Sequence, residues 1–198
     1  MKVDLHVHTR ERSACAQATE EEQIRAAIAA GLDAIAITDH HRLVPLDRLA
    51  ALNRQYAPFR IFGGIELTVG TEDFLVLGVP DPRLEQPVWT YPELQAFVAG
   101  RGGFLALAHP FRYRAEIGVE LEGSAPDAVE LFSPHTPHTA EEKIRSLALA
   151  HGLRLLSNSD AHTPRRLGRY YNRLAGRVQD EQELFALLRA GQFTLHAA

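Results

Sequence analysis

Short apolar runs alternate with longer amphipathic stretches along most of the chain. The apolar runs have the length of β-strands, and the stretches between them have helical periodicity. The predicted strands are Lys2–His8, Asp33–Thr38, Arg60–Ile65, Phe74–Val79, Phe104–Ala108, Ala128–Phe132, Arg154–Ser157 and Phe193–His196. Strands that alternate with helices predict an α/β fold with a mainly parallel sheet, and the number of strands favours a small barrel over an open sheet.

The predicted helices have recognisable starts and ends. Capping signals, in which a polar side chain and a carboxylate three residues later satisfy free backbone amides, lie at Thr19, Thr90, Thr139 and Asp180. These helices are expected to end near left-handed glycines, at Gly31, Gly100, Gly152 and Gly191. A further helix is expected from about Leu46 to Tyr56. Two irregular segments, Phe111–Asp127 and Thr163 to about Tyr170, are predicted to be loops near the functional site.

Histidines and carboxylates collect where the predicted strands end. His6 and His8 lie two residues apart, so they point to the same side of an extended strand. The later strand ends contribute Asp39, His40, Glu66, His109, Asp160 and His162. Because barrels of this class carry function at the carboxyl ends of their strands, we expect these side chains to converge.

Seven of these residues suit a metal site, namely the five imidazoles together with the carboxylates of Glu66 and Asp160. They are too many ligands for one four-coordinate ion, and they fit two or three ions that share a carboxylate, either Glu66 or Asp160. The single cysteine, Cys15, cannot form a thiolate cluster. Nitrogen and oxygen ligands fit manganese, iron or zinc, with magnesium possible. Two-metal sites favour phosphoester chemistry.

Length, composition and charge limit the number of domains and the kinds of molecule that the protein is expected to bind. A length of 198 residues with 45% hydrophobic residues suits a single domain over residues 1–198. A net charge of −4 disfavours stable binding of long nucleic acid and leaves a small phosphorylated substrate as the expected partner. The chain starts with a strand and has no apolar run of membrane-spanning length, so we expect a cytoplasmic protein without a membrane partner. The oligomeric state stays open.

Five motifs resemble those of the PHP (polymerase and histidinol phosphatase) family, in particular its small stand-alone phosphoesterases. In family order they are Asp4-Leu5-His6-Val7-His8-Thr9, Thr38-Asp39-His40, Gly64-Ile65-Glu66, Ala108-His109-Pro110 and Ser159-Asp160-Ala161-His162. The resemblance implies a distorted (β/α)7 barrel with two or three divalent ions. It also implies hydrolysis of a small phosphomonoester, nucleotide or short oligonucleotide by a metal-bound hydroxide.

The resemblance also assigns roles to residues. The implied metal ligands are His6, His8, His40, Glu66, Asp73, His109, Asp160 and His162, and the implied catalytic residues are Glu66, Asp160 and His162. Glu66 would bridge two ions, and His40 with His162 would form a third site.

The chain departs from the family pattern at two positions. Where the family usually has an Asp or His after the first motif, this chain has Ala14, and Glu11 or Cys15 would have to substitute. A family histidine before a Leu-Gly strand is also missing. Asp73 is the nearest polar residue there, and it is a ligand only by replacement.

Arginines and further carboxylates are candidates around the metal site. Arginine matches phosphate geometry, and the substrate-binding candidates are Arg10, Arg112, Arg114, Arg165 and Arg166. Asp4 and Asp39 are expected to orient ligand imidazoles. Glu130 either points into the barrel or pairs at the surface. His135 either lies in a solvated loop or reaches the barrel mouth.

Two other functions stay open on sequence grounds. Similar His-rich barrels polarise carbonyls, so a metal-dependent amide or lactone hydrolase is the alternative enzyme. The alternative outside enzymes is a degenerate regulatory or binding domain, which Ala14 favours. Retention of all seven principal ligand-type residues argues against such decay.

Overall fold

Strands and helices alternate over most of the molecule. The computed structural model describes residues 1–198. In chain order the elements are β1 Lys2–Val7, α1 Glu20–Ala29, β2 Ala34–Ile37, α2 Leu46–Tyr56, β3 Arg60–Val69, β4 Glu72–Leu77, α3 Tyr91–Ala99, β5 Phe104–Leu107, β6 Ala128–Phe132, α4 Glu141–His151, β7 Arg154–Ser157, β8 Tyr170–Leu174, α5 Glu181–Arg189 and β9 Phe193–Ala197. None of the helices is both long enough and apolar enough to cross a membrane.

All nine strands belong to one sheet, in the order β7-β6-β5-β4-β3-β2-β1-β8-β9. The strands β1, β2 and β3 pair in parallel, as do β5, β6 and β7. However, β4 is antiparallel to both of its neighbours, and β8 is antiparallel to β1 and β9. Seven of the nine strands thus run in one direction, as the predicted mainly parallel sheet requires, and β4 and β8 are the two antiparallel exceptions that the sequence did not predict. The direction of β4 has a local cause, because β3 returns directly into β4 through a tight turn at Gly70, whose φ is +64°.

The sheet nearly closes into a barrel, in two different ways at its two ends. At the carboxyl end, Val7 bridges to Ala161 beyond β7, where the His8 amide donates to the Ala161 carbonyl at 3.0 Å. Towards the other end β8 intervenes, and the Asn172 side chain bonds both backbone groups of Ser157, at 3.0 and 2.9 Å. The expected α/β fold with a distorted barrel is confirmed.

The helix α5 covers the amino end of the barrel, opposite the strand ends that carry histidines. Its Phe185 stacks on Phe104, the first residue of β5, with ring centroids 5.6 Å apart. Gly78 after β4 approaches the same ring so closely that an added Cβ would lie 2.5 Å from it. The amino end of the barrel is thus closed by apolar packing, and the carboxyl end, which carries the histidines, is the end where a functional site can lie.

Several local predictions need correction. The strand β8 is absent from the predicted strands, because Asn172 and Arg173 interrupt its apolar pattern and the predicted loop extends to its first residue. The capping box at Thr139 is wrong, since a short 3-10 turn leads into α4 and Ala140 is its N-cap. Gly100 has a right-handed φ of −63°, and Gly102 takes the left-handed conformation instead. The predicted caps at Thr19, Thr90 and Asp180 are present.

Candidate metal centre

Imidazole and carboxylate groups from β1, from the middle of β3 and from the segments just after β5 and β7 meet in one buried cluster. The Nε2 atoms of His6 and His8 lie 2.9 Å apart. Glu66 Oε1 lies 3.0 Å from His109 Nε2, and Asp160 Oδ1 lies 3.1 Å from His8 Nε2. These five residues, called the ligand cluster below, are all at most 5% exposed. The structure therefore brings together side chains that are far apart in sequence.

The possible ligand atoms form four overlapping groups of three, each with its atoms within 4.8 Å of one another. The groups are His6/His8/Glu66, His6/His109/Asp160, His8/His40/His162 and Glu66/Asp73/His109. Because neighbouring groups share members, the arrangement suits more than one ion with shared ligands.

His40 and His162 lie on the more open side of the ligand cluster. Both are partly exposed, and both rings lie against His8, with centroid distances of 4.3 and 4.2 Å. His40 Nδ1 lies 2.8 Å from Glu66 Oε2, and His162 Nδ1 lies 3.3 Å from Asp160 Oδ1. Solvent and substrate therefore have access to the cluster from the side of these two rings.

The charged groups of the ligand cluster shift one another's pKa values. Burial by itself lowers the pKa of His6, but Glu66, Asp160 and Glu130 outweigh it and raise that pKa well above its usual value. Burial by itself raises the pKa of Glu66 and of Asp160, yet the charge of His6 and the closeness of the other imidazoles hold the pKa of both carboxyl groups well below its usual range. Both carboxylates are thus ionised at neutral pH.

Unsatisfied oxygen atoms indicate that a cation fits this cluster. Both carboxylate oxygens of Asp160 and Oε2 of Glu66 are buried and make no hydrogen bond, although imidazole nitrogens lie 2.8 to 3.4 Å away. Buried polar atoms are nearly always satisfied, and unpaired carboxylate oxygens are costly. Imidazole nitrogens with carboxylate oxygens form a donor set that divalent metals bind.

The backbone is strained where two of these residues follow their strands. His109 has a φ of +24° and Asp160 a φ of +45°, in a region that non-glycine residues seldom adopt. Such conformations cost roughly 1–3 kcal/mol each and are concentrated at functional sites. Both residues lie shortly after β5 and β7, and both side chains face the other ligands.

Glu130 points into the barrel and contacts the ligand cluster, which decides between the two sequence interpretations. It is fully buried, with Oε1 at 3.0 Å from His6 Nδ1. Its Oε2 accepts from the His109 backbone amide at 2.8 Å. The sequence contained a signal for this role, because a charged residue inside a buried strand requires a partner.

Asp39 and Asp4 support the site differently from what the sequence suggested. Asp39 accepts from Ser13 Oγ at 2.8 Å, and Ser13 Oγ in turn lies 3.3 Å from His8 Nδ1. Asp39 thus acts on an imidazole through Ser13, a loop residue that no sequence pattern singled out. For Asp4 the prediction is wrong, since it accepts from the backbone amides of His6 and Ser159 and contacts no imidazole. Burial raises the pKa of Asp4 to about 7.

No residue replaces the ligand that Ala14 lacks. Ala14 is exposed, as is Cys15. Glu11 accepts from the backbone amide of Glu20 at 3.1 Å, so it supports the start of α1 instead. Neither substitute belongs to the groups of possible ligands.

Asp73 is close enough to the cluster to remain a candidate ligand. It lies within β4 and not before it, and one of its oxygens belongs to a group with Glu66 and His109. Its Oδ1 accepts from Thr68 Oγ1 at 2.6 Å, which leaves the other oxygen available.

Two of the candidate arginines approach the site. Arg112 Nη1 lies 3.7 Å from Asp160 Oδ2, and Arg166 Nη1 lies 3.4 Å from His135 Nε2. His135 itself lies 3.4 Å from Asp160 Oδ2, so it reaches the barrel mouth. Burial, with the charges of Arg112 and Arg166, lowers the pKa of His135 to about 4, so that ring is neutral at pH 7.

The other three candidate arginines lie farther from the ligand cluster. Arg10, Arg114 and Arg165 are exposed, and none forms an ion pair with the ligand cluster. Arg114 lines a small depression that also contains Asp73 and His109. The charge of Arg10 acts on Glu22 near the start of α1.

Family models match most of the chain. The model for the PHP domain matches residues 4–97, and the model described as PHP-associated matches residues 138–193. No curated protein matches the chain significantly.

Solved structures with the same fold come from several bacteria. A two-domain protein from Bacteroides vulgatus, which contains a predicted PHP-like metal-dependent phosphoesterase, aligns with 100% of the chain at a TM-score of 0.76 and 19% identity. The chain spans 64% of that protein. A candidate metal-dependent phosphoesterase from Bifidobacterium adolescentis aligns over 94% of this chain and 95% of its own, at a TM-score of 0.71 and 16% identity.

An amidohydrolase from Chromobacterium violaceum also has this fold. Its structure contains bound sulfate and no metal, and it aligns over 84% of this chain and 89% of its own. The TM-score is 0.63 at 19% identity. At such identities the likeness establishes the fold and leaves the chemistry to the site.

Proposed function

The chain belongs to the PHP family, and from this premise we propose that it is a metal-dependent phosphoesterase for a small phosphomonoester, nucleotide or short oligonucleotide. The observation that carries the proposal is the ligand cluster. It contains carboxylate oxygens that lack hydrogen-bond donors, and the Nε2 atoms of His6 and His8 lie 2.9 Å apart. A cluster of this kind needs cations, and cations held by carboxylates and imidazoles suit phosphate chemistry.

The residues that would hold the ions are those of the ligand cluster, with His40, His162 and Asp73 as further ligands. Divalent ions there would lower the pKa of a bound water and neutralise charge on phosphate oxygens. We propose two or three ions of manganese, iron or zinc, with magnesium possible, because the donor atoms are nitrogen and oxygen.

Substrate binding falls to the residues on the Asp160 side of the cluster. We assign the phosphate oxygens to Arg112 and Arg166, because a planar guanidinium can donate two parallel hydrogen bonds to them. The nearby His135 is neutral at pH 7 and contributes a donor or acceptor without charge. The sulfate in the amidohydrolase from Chromobacterium violaceum supports an anion site in this fold, since sulfate has the shape of phosphate.

His162 is assigned to the leaving-group side of the site, where as a ligand it would hold an ion whose bound water could protonate the leaving group. Its ring lies at the open side of the cluster, and its Nδ1 lies 3.1 Å from the backbone oxygen of Asp160. Glu66 and Asp160 are negatively charged at neutral pH, and they would hold the reacting groups in position. The enzyme is proposed to act on small substrates in the cytoplasm.

Metal analysis combined with a substrate panel tests this function. The purified protein should contain divalent transition metal and should hydrolyse at least one phosphomonoester, diester or nucleotide. A chelator should abolish the activity, and added metal should restore it. His8→Ala should lose metal and activity, whereas His138→Ala, which changes an exposed histidine of the 3-10 turn before α4, should keep both. A protein without bound metal and without metal-rescued hydrolysis of any phosphoester contradicts the proposal.

The amide or lactone hydrolase is the second candidate, favoured by the fold shared with an amidohydrolase. It predicts turnover of amide or lactone substrates and no inhibition by inorganic phosphate. The binding-domain alternative predicts one ion or none per chain and no turnover. The same metal analysis and substrate panel separate the three functions.

A further inference from the structure

We propose that Glu130 and Ser13 are positioning residues that hold His6 and His8 with the proton on Nδ1, so that both Nε2 atoms are free to bind metal. The inference rests on the metal site of the proposed function. It extends that site to two residues outside the expected ligand set, one on β6 and one in the loop after β1.

Glu130 can act towards His6 only as an acceptor. Asn158 uses its Oδ1 to accept from the Leu5 amide and from Asn172, so its Nδ2 is the group that donates to Glu130, at 2.8 Å. The other oxygen of Glu130 accepts from the His109 amide. With fixed donors on both oxygens, an ionised carboxylate satisfies every contact. His6 must therefore donate its Nδ1 proton to Glu130.

Ser13 transmits the same constraint from Asp39 to His8. Asp39 is buried and surrounded by donors, since it also accepts from the Thr9 amide at 2.6 Å and from Arg12 Nε at 2.8 Å. A carboxylate only accepts, so the single hydroxyl proton of Ser13 goes to Asp39. Ser13 Oγ then accepts from the His40 amide at 3.0 Å and from His8 Nδ1 at 3.3 Å.

The two contacts together prepare the site for a cation. His6 Nε2 lies 3.4 Å from oxygens of Glu66 and of Asp160, and His8 Nε2 lies 3.2 and 3.1 Å from the same two side chains. A free imidazole in this position would lower its energy by moving its proton to Nε2 and donating to a carboxylate. A bound cation displaces the proton from each Nε2 atom, and the acceptors on the Nδ1 side hold the proton that each ring keeps.

Zinc affinity is the first measurement. Ser13→Ala and Glu130→Gln should each weaken zinc binding about 10- to 100-fold in a competition titration, the range known for residues that orient metal ligands. Ser13→Thr keeps a hydroxyl and should recover most of the affinity. The matched controls Ser146→Ala and Glu141→Gln change an exposed serine and a partly exposed glutamate of α4, whose carboxylate pairs only with Arg145, and both should bind zinc like the wild type.

The proton positions can be read directly in the wild-type protein, which needs no variant to fold. Long-range 15N–1H spectra of the zinc-loaded protein should show protonated Nδ1 and zinc-bound Nε2 for both His6 and His8. Zinc bound through Nδ1 in either ring overturns the inference, as does wild-type affinity in folded Ser13→Ala and Glu130→Gln. Either result can occur in an active phosphoesterase. Conversely, the expected spectra in a protein without hydrolysis would overturn the proposed function alone.

Discussion

The ligand cluster and the arginines around it differ in how firmly they are held. The cluster residues lie in or just beyond β1, β3, β5 and β7, are at most 5% exposed, and contact buried partners such as Glu130. The arginines lie in loops, and even Arg112 and Arg166 have only long contacts of 3.7 and 3.4 Å. Rigid elements suit fixed chemistry, and loops suit recognition that varies among substrates. We therefore expect the reaction to depend on the cluster and the substrate choice to depend on the arginines.

Glu66→Gln should have the largest effect, because Glu66 contacts more of the cluster than any arginine does. Its oxygens lie 2.8 to 3.4 Å from His6, His8, His40 and His109. The amide removes the charge and puts a donor among these rings. We expect bound metal to be lost and kcat/KM to fall on the order of 1,000-fold, beyond the roughly 10–100-fold typical of residues that only orient ligands.

Glu85→Gln provides the matched control, since Glu85 contacts Arg42 and the Leu43 amide away from the cluster. It should leave metal content and kcat/KM near the wild-type values. If Glu66→Gln kept its metal and its kcat/KM like this control, the reaction would not depend on the ligand cluster.

The sequence identified a site residue only where a local pattern, such as a position after an apolar strand, indicated its role. His6, Glu66, His109 and Asp160 follow apolar strands, and parallel strand ends must meet, so their convergence was expected. Ser13 had no such pattern, because its role depends on where a loop brings its hydroxyl relative to His8 and Asp39. For the same reason the sequence could not separate the two inward-facing arginines from the exposed ones.

The fold was predictable to a similar extent. The parallel strands and their helices followed from periodicity, and β6 and β7 were predicted with their observed bounds. The antiparallel insertion of β8 was not, because Asn172 is polar, and the partners that satisfy its buried side chain, Ser157 and Asn158, come from other parts of the chain. Tertiary hydrogen bonding of this kind cannot be inferred from local hydrophobicity.

Asp4 should make the free energy of unfolding depend on pH, because its carboxyl group is buried. The size of this dependence measures how well the barrel excludes water from Asp4. Its pKa is raised by burial to about 7 from 3.8, so between these values the folded protein holds a proton that the unfolded chain has lost. The stabilisation is complete below pH 3.8 and is lost as the pH rises through about 7. In this window the free energy of unfolding should fall by up to about 1.4 kcal/mol per pH unit.

Asp4→Asn isolates this contribution, because the amide keeps an acceptor for the His6 and Ser159 amides and does not titrate. Urea unfolding of both proteins from pH 4 to pH 8 gives the difference. The wild type should lose stability relative to the variant as the pH rises. A constant difference would mean that water reaches Asp4.

Arg112→Ala should have a smaller effect, on substrate binding more than on turnover. Its guanidinium lies beside Asp160 in a loop, without contacting His6 or His8. We expect KM to rise about 10-fold, as for loss of one charge-assisted hydrogen bond, with kcat reduced less and bound metal unchanged.

Arg165→Ala is the matched control and should have the smallest effect, within about twofold in KM, since exposed arginines rarely contribute more. Its side chain is exposed and pairs with no carboxylate of the cluster. Equal effects of the two variants would indicate that the whole loop region, and not Arg112, recognises the phosphate.

The bridge between Val7 and Ala161 has a consequence for the order of events during synthesis. His6, His8 and His40 leave the ribosome well before Asp160 and the segment that closes the barrel, because all three precede Asp160 by more than 100 residues. A nascent chain therefore presents exposed imidazoles long before it can enclose an ion with the correct ligands. Selective metal loading must wait until the last ligand segment has joined β1, so the correct ion is acquired by the finished barrel.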